Sequence, residues 1–279
     1  MRHVVITGAG GGLGYECAKY FGEQGDTVYL LCRNQAKAQR AADEISARYS
    51  QAQPIPLGAE LGDLEQVRAA AAALRENTAR LDILINNAGV MAVPFAQSAQ
   101  GVEMQFAVNH LAHFVLTREI LHLFPEQSTS RIVNVSSLAH HQARAQPVWN
   151  PGRDAYGPWQ AYANSKLANL LFSLGLSREL QNNGRNLRVV TCHPGYTATN
   201  IASGLGALGT LGNRLLAQSP RAGIDPIIHA ATADVASASY WGPVYFELRG
   251  PVAPARQSAR AQSTALAARL WKESLQLSG

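Results

Sequence analysis

Charge is scarce in this chain: Asp, Glu, Lys and Arg make up only 15% of its 279 residues, against 47% hydrophobic ones. That balance excludes a disordered or fibrous chain and describes a well-filled globular core. No apolar run reaches the roughly 18 residues that a bilayer-spanning helix needs. Strand-like sequence already begins at His3, which leaves no room for a leader. A soluble cytoplasmic protein without a membrane anchor is expected. Cysteine is scarce too. Cys17, Cys32 and Cys192 stand far apart without CxxC or Cys/His spacing, which argues against a disulfide framework and against a metal site. The formal net charge of +5 comes from scattered arginines, with no basic run interleaved with aromatics. Nucleic acid is therefore not an expected partner, whereas the same charge suits an anionic cofactor.

What is present is a rhythm. Apolar runs of strand length at residues 3–8, 27–32, 54–57, 81–86, 131–136, 187–192 and 244–247 alternate with helical stretches. The helices are expected over 12–24, 35–49, 64–78, 102–123, 161–181 and 259–275. Alternating β and α with apolar strands predicts an α/β fold: a Rossmann-type, doubly wound parallel sheet of about seven strands, flanked by helices, in one domain spanning 1–279. Two stretches break the rhythm. Residues 140–159 carry Pro147, Pro151, Gly152, Gly157 and Pro158, and read as a long loop. Residues 200–222 carry Gly204, Gly206, Gly209 and Gly212 among leucines, and read as a substrate loop or lid.

Gly8-Ala9-Gly10-Gly11-Gly12-Leu13-Gly14 follows the first strand and opens a helix. Glycines let the backbone approach a pyrophosphate, and the helix N-terminus offers it free amides and a positive dipole. The spacing is TGxxxGxG rather than GxGxxG, and no Gly-Lys-Ser/Thr follows, so this is not a P-loop. By itself such a turn would also serve as a plain strand–helix junction. At the end of strand two the chain reads Cys32-Arg33-Asn34, where a carboxylate would bind the ribose hydroxyls of NAD. An arginine suits a 2′-phosphate instead, so NADP(H) is favoured over NAD(H). The bland alternative is a solvated surface arginine. Asn86-Asn87-Ala88-Gly89 ends strand four, where asparagines would brace the loops around a cofactor.

Tyr162 and Lys166 lie one helical turn apart and share a helix face. A nearby ammonium would lower the phenol pKa from about 10 and tune it for proton exchange. Spacing alone proves little, since Tyr15-Glu16-Cys17-Ala18-Lys19 repeats the pattern with no serine partner in view. Around Tyr162 the context is richer. Strand five ends in Ser136-Ser137, Asn109 lies in the preceding helix, and His193-Pro194-Gly195 follows strand six, with Thr199 shortly after.

Together these segments resemble the short-chain dehydrogenase/reductase family, in the family order and over nearly the whole chain. The runs Asn109-His110-Leu111-Ala112-His113-Phe114 and Ser165-Lys166-Leu167-Ala168-Asn169 resemble its retinol dehydrogenase-like branch. The resemblance implies Asn109, Ser137, Tyr162 and Lys166 as the catalytic tetrad. It implies cofactor contacts from the glycine turn, Arg33, Asn34, Glu60, Leu61, Asn87, Ala88, Gly89, Tyr162, Lys166, Pro194, Gly195 and Thr199. Glu60 departs from the family's Asp at that place. Tyr162 would protonate the substrate oxygen, Ser137 would hydrogen-bond it, Lys166 would lower the tyrosine pKa, and Asn109 would position a water. A bulky, mostly apolar carbonyl or alcohol substrate is expected from the 200–222 stretch and from Trp149, Tyr156 and Trp159. His140, His141 and His193 are read as supporting or loop residues. The same tetrad would also serve reduction of an activated C=C bond, and a regulatory NADP(H)-binding protein without turnover is the reading from another class. A homodimer or homotetramer is implied, unless the long loop covers the helix that carries Tyr162.

Overall fold

The computed structural model describes residues 1–125, 129–195 and 219–279. Among these residues, eight strands form one sheet in the order β3-β2-β1-β4-β5-β6-β7-β8. β1 (His3–Thr7), β2 (Thr27–Cys32), β4 (Ile83–Asn86), β5 (Arg131–Val135) and β6 (Arg188–Cys192) form its centre. Their residues are buried almost throughout, because helices cover both faces of a parallel sheet. β3 (Gln53–Gly58) is longer than its sequence suggests despite Pro54 and Pro56. It is an edge strand, and an edge tolerates residues that cannot donate to a ladder.

The chain reverses its strand order between β1 and β4, which opens a crevice at the carboxyl edge of the sheet. α1 (Gly12–Glu23), α2 (Gln35–Arg48) and α3 (Leu64–Asn77) make the first crossovers. Asn34 and Asp63 cap the latter two with their side chains. The next helix, α4, comes in three pieces: Met104–Phe106, a π-helical stretch Ala107–Leu111, and Ala112–Ile120. The expected continuous helix over 102–123 is thus interrupted at Asn109. α5 (Pro158–Asn182) starts earlier than expected, because Pro158 is accommodated in the first turn. It is buried on nearly all sides along its first half.

The last strand departs from expectation. Instead of one strand over 244–247, β7 (Tyr240–Tyr245) and β8 (Arg249–Pro254) form an antiparallel hairpin. Phe246 and Glu247 make its turn, with φ of 53° and 57°. Neither is the Asn or Gly that usually marks such a turn, so the hairpin left no local signal. α6 (Asp225–Thr232) packs under β5 and β6. The terminal helix α7 (Thr264–Ser278) begins five residues later than expected, where Ser263 caps it. It lies along α5, with Trp271 against Gly175.

Candidate active site

The glycine turn leaves β1 through Gly8, at φ 71°, and enters α1 through Gly12, at φ 56°. Both values favour glycine. A Cβ on Gly14 would lie 2.4 Å from the Gly8 carbonyl oxygen, so any side chain there would push the helix off the turn. Gly11 caps α1 with no side-chain hydrogen bond, and no acidic residue follows in the first turn. The positive end of α1, which includes Leu13, is thereby left for an anion. Beside Gly10 and Gly11 lies the Lys37 side chain, whose Nζ would be 3.5 Å from a Cβ on Gly11. The sequence reading missed Lys37. Its signal was a basic residue in the first turn of α2, four places beyond Arg33.

Arg33 is 81% exposed, and its Nε sits 3.9 Å from Glu60 Oε2. Glu60 Oε1 accepts from the Gly62 amide at 3.1 Å. The longer carboxylate therefore faces the arginine as well as the loop. Asn34 spends its side-chain oxygen on the Lys37 amide, at 3.1 Å. Leu61 is buried in the main core, packed with Leu64 and Val67, so its side chain belongs to the interior.

The Asn86–Gly89 segment braces the turn, but its two asparagines do different work. Asn86 points into the sheet and donates to Asn134 Oδ1 at 2.8 Å. Asn87 Nδ2 donates to the Thr7 carbonyl at 2.9 Å, and the amides of Asn87 and Ala88 both donate to Thr7 Oγ1. Gly89 lies between the two regions of the site. A Cβ there would come within 3.1 Å of Asn109 Oδ1 and 3.4 Å of Lys166 Nζ.

Asn109, Ser137, Tyr162 and Lys166 come from α4, the end of β5 and α5. The Asn109 side chain clamps Val90, accepting from its amide at 2.7 Å and donating to its carbonyl at 2.9 Å. It also donates to Ser165 Oγ, which in turn donates to the Tyr162 carbonyl. Lys166 Nζ donates to the Val135 carbonyl at 3.1 Å and lies 5.8 Å from the Tyr162 ring centre. Ser137 lies close enough to Tyr162 to lower its phenol pKa, and its own Oγ accepts from the Ala139 amide at 3.2 Å. Its carbonyl accepts from the His140 amide, and His140 Nδ1 lies 2.8 Å from the same oxygen.

Electrostatics corrects one expectation. Burial pushes the Tyr162 phenol above its ordinary value, and the Ser137 hydrogen bond pulls it part of the way back. Burial also drives Lys166 down to about 8. Removing both groups from water disfavours both charged forms, so within the protein itself burial raises the phenol and lowers the ammonium. Tyr162 is accordingly protonated at neutral pH.

His140 and His193 are buried and pushed down to about 4 and about 3, chiefly by burial. No cluster of three potential metal ligands occurs among the described residues. Pro194 and Gly195, with φ 73°, follow β6 at the same sheet edge, and the Gly195 amide donates to His193 Nδ1 at 3.3 Å. Thr199 and residues 200–218 of the expected lid lie outside the described residues. Of the three loop aromatics, two are structural. Trp149 is 2% exposed and stacks on Phe106, while the Tyr156 hydroxyl donates to the Val93 carbonyl. Trp159 alone faces the site, half-exposed and 5.6 Å from the Tyr162 ring.

Residues 2–207 match the family model described as short chain dehydrogenase. The chain belongs to the short-chain dehydrogenase/reductase family. It is 35% identical to human retinol dehydrogenase 11 over 99% of this chain and 85% of that protein. It is 37% identical to human retinol dehydrogenase 13, covering 100% of this chain and 85% of the relative. An uncharacterized protein from Mycobacterium Paratuberculosis has a crystal structure with a TM-score of 0.79 and 37% identity, covering 100% and 93% of the two chains. A short-chain dehydrogenase from Sphingobium yanoikuyae, solved in complex with NADPH, matches with a TM-score of 0.64 and 25% identity over 82% of this chain and 83% of that one. As a short-chain dehydrogenase, this protein is an oxidoreductase that uses a nicotinamide cofactor and a small-molecule substrate. No helix among its described residues is long and apolar enough to cross a membrane.

Proposed function

We propose that the protein interconverts a carbonyl and an alcohol with NADP(H), using Tyr162 as the proton donor and acceptor. The observation that carries this reading is that Ser137 and Tyr162 lie beside one another at the carboxyl edge of the sheet, the edge that also carries the glycine turn. The residues suit the cofactor. The turn is a cradle that side chains would fill, and the amides opening α1 await an anion. Arg33 and Lys37 would hold the 2′-phosphate, and the glycine turn would hold the pyrophosphate. Asn87 and Gly89 would line the path to the nicotinamide end. The cofactor supplies or takes up hydride when bound. The Sphingobium relative in complex with NADPH supports the cofactor choice.

The rest is the work of this chain. A phenol that is protonated at neutral pH is poised to donate to a substrate oxygen, while Ser137 offers a second hydrogen bond to the charge developing there. Lys166, held by the Val135 carbonyl, stands ready to restore that proton balance, and Gly89 keeps the space beside it open. Met91, Ala139 and Ala163 pack around Tyr162, with Trp159 at its rim, so the wall is apolar. A bulky, mostly apolar substrate suits that wall, and the similarity to proteins named retinol dehydrogenase points the same way.

The test is a panel of hydrophobic aldehydes and ketones assayed with NADPH and with NADH, with the products identified. Alcohol formation with an NADPH preference is expected. Arg33→Ala and Lys37→Ala should each reduce that preference about tenfold, the scale of one charge-assisted hydrogen bond. Glu60→Gln should tighten NADPH binding by freeing Arg33. A clear NADH preference in the parent protein would overturn the cofactor assignment, and saturated C=C products would overturn the reaction.

A further inference from the structure

One buried imidazole lies between the two regions of the site and has no part in the chemistry above. His113, on the Ala112–Ile120 stretch of α4, is 2% exposed. Its Nδ1 lies 3.1 Å from the Asn109 carbonyl, and its Nε2 lies 2.9 Å from Thr7 Oγ1. A carbonyl only accepts, so Nδ1 carries the proton. Burial, with the Lys166 charge adding to it, drives His113 down to about 4, so the ring is neutral and Nε2 is an acceptor. The Thr7 hydroxyl therefore donates to Nε2, at 2.9 Å a nearer acceptor than the Ile85 carbonyl at 3.4 Å, while its oxygen accepts from the amides of Asn87 and Ala88. Every hydrogen-bonding position of the Thr7 hydroxyl is then used.

The Asn109 end is equally specific. Asn109 sits within the π-helical stretch, where backbone bonds run to the fifth residue on and the usual helical ladder is displaced. The His113 ring donates to the Asn109 carbonyl inside this stretch, at 3.1 Å. From there the chain of bonds continues through the Asn109 amide to Ser165 and on to the Tyr162 carbonyl. The glycine turn, the bracing Asn87–Ala88 segment, the Asn109 segment and the catalytic helix are joined through one ring.

We propose that His113 is a positioning residue, a neutral Nδ1–H imidazole that sets the Thr7 end of the cofactor turn and the Asn109 end of the proton-transfer centre. This rests on the reading of those two ends as cofactor site and catalytic site. Its two contacts serve two different functions, which makes them separable.

An asparagine at this position can reproduce the Nδ1 donor but does not reach Thr7. A glutamine can place its oxygen where Nε2 accepts from Thr7 but leaves Asn109. His113→Asn should weaken binding of the tighter-binding nucleotide about tenfold, with kcat within about threefold of the parent. His113→Gln should lower kcat about tenfold and leave nucleotide binding within about threefold. Nucleotide affinity is read by fluorescence titration, kcat by steady-state assay, and folding by thermal melts. Thr7→Val should weaken nucleotide binding as His113→Asn does, and the double variant should do no worse than either single one. If the two His113 variants shift affinity and kcat alike, or if Thr7→Val and His113→Asn add fully, the role is structural and the inference fails. A parent protein that binds neither NADPH nor NADH would instead overturn the proposed function, and the inference with it.

Discussion

Two Tyr-x-x-x-Lys pairs sit on two helices of this chain, with almost the same internal geometry. Lys19 Nζ lies 5.3 Å from the Tyr15 ring centre, and Lys166 Nζ lies 5.8 Å from that of Tyr162. Their surroundings share nothing. The Tyr15 hydroxyl donates to Glu44 at 2.5 Å, and Lys19 is engaged by Glu16 at 2.9 Å. Burial and the Glu44 carboxylate push the Tyr15 phenol up to about 12. Its proton is held by a carboxylate. Tyr162 lies beside a neutral serine hydroxyl that lowers its pKa, and Lys166 is paired with a backbone carbonyl and no carboxylate. A motif is a spacing. Its chemistry is decided by what the fold brings beside it.

The comparison is most open to attack by removing each phenol in turn. Tyr162→Phe should lower kcat about 10²–10⁴-fold, the usual span for loss of a general acid. Tyr15→Phe should leave turnover within about twofold, with stability altered by no more than about 1 kcal/mol. Equal losses in the two variants would show that spacing and not surroundings confers activity. Ser137 is what Tyr15 lacks, so Ser137→Ala should cost about 10²–10³ in kcat with the fold intact, as checked by circular dichroism.

A smaller effect lies in the stability of the buried lysine. Lysine's ordinary value is 10.5, and Lys166 sits at about 8. Between those values the unfolded chain holds a proton that the folded chain gives up, so stability gains from rising pH across that window. The gain is at most about 1.4 kcal/mol per pH unit. Chemical denaturation of the parent protein and of Lys166→Met, from pH 7.5 to 10.5, should show the parent gaining relative to the variant. Parallel curves would mean that Lys166 is better solvated than its burial implies.

The residue order exposed much of this. Apolar runs alternating with helices predicted the sheet, and the glycine turn, Ser137, Tyr162 and Lys166 were each visible from local sequence. Elsewhere local sequence misled. Trp149 and Tyr156 looked like substrate aromatics, yet one fills the core and the other ties down a loop. The β7–β8 hairpin turned on Phe246 and Glu247, residues whose side chains do not ask for left-handed backbone. Lys37 stood outside every motif and His113 was given no role within its run, because what they contact lies far away in the chain.

By itself the sequence determined the class of fold and nominated the groups proposed to react, because hydrophobic period and glycine placement are local properties. Tertiary structure alone decided which Tyr-Lys pair stands beside a serine at the carboxyl edge of the sheet and which is tethered to a carboxylate. It alone decided that burial would hold Tyr162 protonated, and that His113 would meet Thr7, 106 residues away. Desolvation and long-range hydrogen bonds depend on what surrounds a group in space, and no spacing along the chain encodes them.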